Sequence, residues 1–170
     1  ICQLQHTGAE NFDGTNVRYR LNLNHPVKEL VWVVVEDEAV NKWNEHFKYE
    51  DTSTDEPLIE TVKLQLNGHD RFAERKAHYF NLVQPWQHHT AVPIDSVMVY
   101  SFALKPEDIQ PSGTCNFSRI DNATLIITTS DAFQTYQKQG TGMQAKFRLF
   151  ATNYNVLRIM SGMGGLAYAN

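Results

Sequence analysis

Residues 100–125, YSFALKPEDIQPSGTCNFSRIDNATL, decide how this chain is to be read. Leading into the stretch, Val97, Val99, Ser101 and Ala103 alternate with Met98, Tyr100, Phe102 and Leu104, the period of a β-strand. Residues 105–113 then carry two prolines and a glycine, which break the strand, before alternation resumes at Cys115 and Phe117. Strand, turn, strand is the predicted unit, and it repeats along the chain.

Upstream, Val17, Tyr19, Leu21 and Leu23 alternate with Arg18, Arg20 and Asn22, giving one apolar and one polar face. After a break at His25-Pro26, residues 30–35 are apolar on both faces, as expected of a strand covered on both sides. Val62, Leu64 and Leu66 alternate again until Asn67-Gly68 turns the chain. Further strands are predicted over residues 96–104, 114–120, 124–129, 145–153, 155–159 and 166–169. One helix is expected, over residues 70–83, with Pro85 ending it. Gly162, Gly164 and Gly165 predict a tight turn feeding the last strand. Many short strands with turn signals between them define an all-β antiparallel sandwich with long loops, a single domain over residues 1–170.

Composition narrows the function classes. No run approaches the roughly 20 apolar residues of a membrane-spanning helix, because residues 30–35 are flanked by Glu29 and Glu36. Residues 1–10 have no apolar stretch of the kind a secretory leader carries. The net charge of −4 is uneven: residues 36–58 hold eight carboxylates against Lys42 and Lys48, a local −6 that leaves +2 elsewhere. This acidic excursion reads as a solvated loop, partly folded back through Trp43, Phe47 and Tyr49. Neutralising Glu36, Asp37 and Glu38 is therefore expected to leave the fold intact. An acidic chain without a lysine and arginine stripe also argues against direct nucleic-acid binding.

No catalytic, cofactor or metal residues emerge. The seven histidines include His88-His89 and His69, but neither His-x-His nor His-x-x-x-His spacing occurs, and neighbours on an extended chain point apart. None of the seven serines, Ser53, Ser96, Ser101, Ser112, Ser118, Ser130 and Ser161, sits in a Gly-x-Ser-x-Gly elbow. Asp70 and Glu74, interleaved with Arg71 and Arg75, read as surface pairs on the expected helix, and Glu107-Asp108 as a solvated turn. Residues 162–165 lack the Gly-Lys-Ser/Thr ending of a phosphate loop. Cys2 and Cys115 allow one disulfide at most, and Cys115, sharing parity with Phe117, reads as a buried free thiol. The sequons at Asn116 and Asn122 are expected to stay unmodified in a cytoplasmic setting. Trp32, Trp43 and Trp86 leave a second reading open, a carbohydrate-binding jelly roll with aromatic platforms.

Particular segments carry a family resemblance. LNHPVKELVWV at residues 23–33, YFNLVQPWQHHT at 79–90, FALKP at 102–106, QPSG at 110–113, NFSRID at 116–121, NVLRI at 155–159 and GMGGLA at 162–167 follow in order along the chain. Together they resemble the C-terminal jelly roll of the major capsid protein of nucleocytoplasmic large DNA viruses, the group of iridoviruses, chlorella viruses and asfarviruses. The resemblance implies an eight-stranded jelly roll, the second of two in a longer polypeptide, a reading that the start at Ile1 without methionine also fits. It implies a structural, non-enzymatic virion protein that forms homotrimeric capsomers of hexagonal outline tiling an icosahedral shell. The implied partners are neighbouring capsomers and minor capsid proteins, with assembly in host cytoplasm around an internal viral membrane.

Overall fold

The computed structural model describes residues 1–51, 56–93, 96–138 and 144–168. Its strands are β1 (Cys2–Phe12), β2 (Asn16–Arg20), β3 (Pro26–Glu36), β4 (Ile59–Leu66), β5 (His69–Asp70), β6 (Arg75–Lys76), β7 (Met98–Ser101), β8 (Cys115–Asn116), β9 (Ala123–Thr129), β10 (Ala145–Tyr154), β11 (Leu157–Met160) and β12 (Met163–Leu166). Helices α1 (Asp37–Asn41), α2 (Gln84–His88) and α3 (Asp131–Lys138) interrupt them, with a π turn at Tyr79–Val83 leading into α2.

Two antiparallel sheets face each other. One runs β1-β10-β3-β7 with β8 beside β3, and the other β2-β9-β4-β5 with β6 beside β4. Up to β10 the chain repeatedly changes sheets, as a jelly roll wrapped around itself does. Each sheet has five strands, because the two-residue pieces β5, β6 and β8 join the long ones. The antiparallel sandwich is as expected, with five strands in each sheet among the described residues.

The inner faces follow the alternation in the sequence. Leu30, Trp32 and Val34 of β3 and Phe147 and Leu149 of β10 meet Val62 and Leu64 of β4 and Leu125 and Ile127 of β9, all buried. Aromatic rings tie the layers together: Tyr19 stacks on Phe147 at 4.0 Å between centroids, and Trp32 packs against Phe80 at 5.3 Å. Val33 and Val35, on the outer parity of β3, are buried too, as a strand apolar on both faces requires.

Several expectations change. The helix predicted from residue 70 is absent there: His69–Asp70 and Arg75–Lys76 pair with β4, and the helical run comes later, in the π turn and α2. Pro85 does not stop it. The wider π turn lets the Gln84 N–H bond Tyr79 O, and Pro85 sits at the start of α2, where its missing N–H costs nothing. Asp70 consequently pairs with Lys63 at 2.8 Å, and Glu74 accepts hydrogen bonds from Thr61 and Thr128, replacing the expected helical pairs. Of the strand expected over residues 114–120 only β8 forms, and Phe117–Arg119 close into a 3-10 turn. The acidic excursion is not simply solvated: Glu36 and Asp51 are buried, and Asp37–Asn41 are helical. Its residues 52–55 lie outside those described, as does Ala169 of the last predicted strand. Both α3 and β1 escaped sequence reading. For α3 the signal was Ser130, whose Oγ accepts the Phe133 N–H at 3.4 Å as an N-cap.

The turns behave as their residues demand. Asn67 and Gly68 both take positive φ, 50° and 81°, closing the two-residue β4–β5 hairpin. Gly113 has φ of 148°, and a Cβ there would lie 2.7 Å from Phe102 O. Gly113→Ala is expected to destabilise the domain by about 1–3 kcal/mol, to be read as a lowered midpoint in urea; an unchanged midpoint would contradict this tight approach.

Candidate assembly surfaces

Three features of the outer surface stand out. The first is a clasp holding residues 102–113 against the sandwich. A register shift between β10 and β3 places Thr152 opposite Glu29 and Asn153 opposite Val27, leaving Lys28 as a bulge. On the other edge Lys28 O accepts the N–H groups of Phe102 and Ala103 at 2.9 and 3.2 Å, continuing the β3–β7 register past Glu29 and Ser101. The Lys28 ammonium, buried, donates to Pro106 O. On the helix side, buried Gln84 accepts the Ser101 N–H at 3.1 Å and donates to the Tyr79 hydroxyl at 3.0 Å. The FALKP and VQP segments are thus partners in one network around β3.

His89 completes the clasp. Its Nε2 lies 3.2 Å from Glu29 Oε2 on β3, and its Nδ1 3.2 Å from Glu107 Oε1 in the proline-bounded turn. Glu107, exposed in its turn as expected from sequence, also accepts the Thr90 N–H, so it is a structural partner as well. The facing Glu29 carboxylate, 3.2 Å away, pushes the His89 pKa above its ordinary 6.5, outweighing burial. Burial alone would raise Glu29, but the facing His89 imidazole holds it below 4.5. The backbone hydrogen bond from Thr90 does the same for Glu107. His88 instead bonds Leu104 O at 3.0 Å, so the adjacent histidines serve different partners. Among the described residues no group of three or more His, Cys, Asp or Glu is arranged to hold a metal ion.

The second feature is what the clasp presents. Leu82, Val83 and Trp86 on the outward side of the helical run, with Val92, line an apolar hollow of about 490 Å³ in which Gln87 is the one polar side chain. Trp86 is 76% exposed. Trp43 is exposed as well, with Lys42 over its ring at 4.9 Å, while Trp32 is fully buried in the core.

The third is the β11–β12 hairpin, which among the described residues pairs with neither sheet and whose every strand residue is exposed. Its turn lies at Ser161-Gly162, with φ of 50° and 79°, while Gly164 and Gly165 fall within β12 and not in the turn expected of them. Of the two thiols, Cys2 is exposed and Cys115 only half-buried, both free; burial raises the Cys115 pKa.

Comparison with known proteins places this two-sheet sandwich and its exposed apolar patches among viral capsid proteins. The structure superposes on the PBCV-1 virus capsid with TM-score 0.80 at 38% identity, covering 100% of this chain and 51% of that one. It matches the Faustovirus major capsid protein in fold, with TM-score 0.75 at 14% identity over 90% of this chain and 32% of that one. A major capsid protein of Pyramimonas orientalis virus is 46% identical over 194 residues, spanning 100% of this chain and 42% of the relative. The family model described as large eukaryotic DNA virus major capsid protein matches residues 1–165. The chain belongs to that family, whose members are structural capsid proteins and not enzymes. It spans about half the length of the relatives it matches.

The clasp has a pH signature. His89, with its folded pKa raised, contributes stability that is full below about 6.5 and is lost as pH rises through the folded value. Glu29 and Glu107, with lowered values, contribute above about 4.5 and lose it as pH falls. The melting-temperature difference between wild type and His89→Gln should therefore be widest between about pH 4.5 and 6.5 and narrow above it; a difference constant across pH would refute the clasp.

Proposed function

We propose that this chain is the second jelly roll of a capsid protein with two, and that three copies of the longer polypeptide form a pseudo-hexagonal capsomer that tiles an icosahedral shell. Family membership, with a chain about half as long as its relatives, supports the reading. The observation that carries it is the apolar hollow around Trp86, held against the sandwich by the clasp and left open outward. An apolar hollow with one polar group beside its tryptophan favours a protein neighbour over a sugar, which would need several hydrogen-bonding groups beside the ring. The carbohydrate-binding alternative is the weaker reading for that reason.

The mechanism is additive. Each lateral contact is modest, and repetition around a closed ring and across a lattice makes the shell stable. Neighbouring capsomers and minor capsid proteins would then cover the remaining surfaces, in virions assembled in host cytoplasm. No helix among the described residues is long and apolar enough to cross a membrane, so any internal viral membrane would lie beneath the shell without a helical anchor from these residues. The net charge of −4 fits a wall that makes no direct contact with the genome.

Trp86→Glu tests this reading. Its exposed site predicts a change in domain stability below about 0.5 kcal/mol, while association of the full-length polypeptide should weaken tenfold or more. Light scattering measures the oligomer and electron microscopy its outline; undiminished trimers with the variant would remove the hollow from the interface.

A further inference from the structure

The C-terminal hairpin has more apolar surface than a free ribbon can sustain. Leu157 pairs with Leu166 and Ile159 with Gly164 on one face, while Met160 pairs with Met163 and Arg158 with Gly165 on the other. Ile159 is 69% and Met163 74% exposed, so neither face is covered by the domain itself. Arg158 is the one charged side chain from Val156 to Ala167. Gly164 and Gly165 leave one strand nearly bare, which lets another backbone or side chain approach closely. Two strands of four residues are at best marginal in water without a surface to pack on.

The root of the hairpin shows where that surface comes from. The Asn155 N–H donates to Ile1 O at 2.9 Å, and the Ile1 backbone nitrogen to Asn155 O at 2.9 Å. The Asn155 side chain donates to Gln3 Oε1 and Tyr168 O, both at 2.9 Å, and the Ala167 N–H to Val156 O. The hairpin thus springs from the point where polypeptide preceding Ile1 would enter. Relatives carry about as much chain again as this one. A domain tethered at Ile1 stands at high effective concentration beside the hairpin, which a separate copy does not.

We infer that the β11–β12 hairpin is a docking arm that seats its apolar faces on the preceding jelly roll of the same polypeptide, fixing the two sandwiches side by side. This rests on the two-jelly-roll reading above. Amide hydrogen exchange, comparing this 170-residue chain with the polypeptide extended through the segment that precedes it in its gene, tests the inference. Amides of residues 157–166 should exchange about 100-fold or more slowly in the extended form. Ile159→Glu, at an exposed position, should restore rapid exchange there in the extended form while β3 and β10 stay protected. Equal exchange in the two forms overturns the inference, as does protection unaffected by Ile159→Glu. Protection of the short chain that grows with its concentration assigns the hairpin to a second copy and overturns it as well. Light scattering separates the two claims: trimers with an unprotected hairpin leave the capsomer reading standing and sink this one, and a protected hairpin in a polypeptide that stays monomeric does the reverse.

Discussion

Strand β3 is the constraint to which the rest of the chain answers. It hydrogen-bonds to β10 along one edge and to β7 and β8 along the other, and residues 30–36 are buried apart from a half-buried Val31. A strand so placed has no freedom of register, since a slip of one residue would exchange Trp32, against Phe80, for Val31 or Val33. At its one irregularity, the bulge at Lys28, the strand serves two purposes. Val27 stays in the core, and the carbonyl and ammonium of Lys28 are turned toward residues 102–106.

Around Lys28 the outer features gather. The loop gripped by Lys28 carries Glu107, which meets His89, and His89 in turn meets Glu29 of the same strand. Gln84 ties the helical run to Ser101 at the end of β7. Leu82, Val83 and Trp86 are therefore held outward by the same polar contacts that close the sandwich edge. Spending buried hydrogen bonds to present an apolar face makes physical sense when the face has a neighbour, because a monomer gains nothing from ordering it. The hairpin β11–β12 is a different kind of surface, fastened only at its root and apolar on both sides.

Legibility of the elements tracked how strongly each one couples burial to periodicity. Strands β2, β4, β9 and β10 could be read because every second side chain enters the core, as Val62 and Leu64 do. Strand β1 could not: Leu4 is exposed, Gln3 and Gln5 are half-buried, and the strand is held by backbone pairing to β10 and by Gln5 bonding Asn24 O and Asn153. The helix was misplaced because residues 70–83 mix strand and helix spacing, and the choice was made by β4, whose edge captured His69–Asp70 and Arg75–Lys76. Glu36 looked like the start of a solvated run, yet as the last residue of β3 it pairs with Ala145 and is carried inside.

By itself the sequence determined the class of fold, the principal strands, the Asn67-Gly68 reversal, and the family, since these depend on local alternation and on segments legible one at a time. Tertiary structure alone decided that the FALKP loop, the VQP helix and His89 form a single clasp, that Trp86 faces outward while Trp32 is enclosed, and that residues 157–166 stand clear of both sheets. The physical reason is that these properties belong to pairs of residues far apart in the chain, Lys28 with Pro106 or Ile1 with Asn155, whose meeting is a consequence of sheet order. No periodicity within a window encodes which strands become neighbours, and it is that choice which makes surface out of one tryptophan and core out of another.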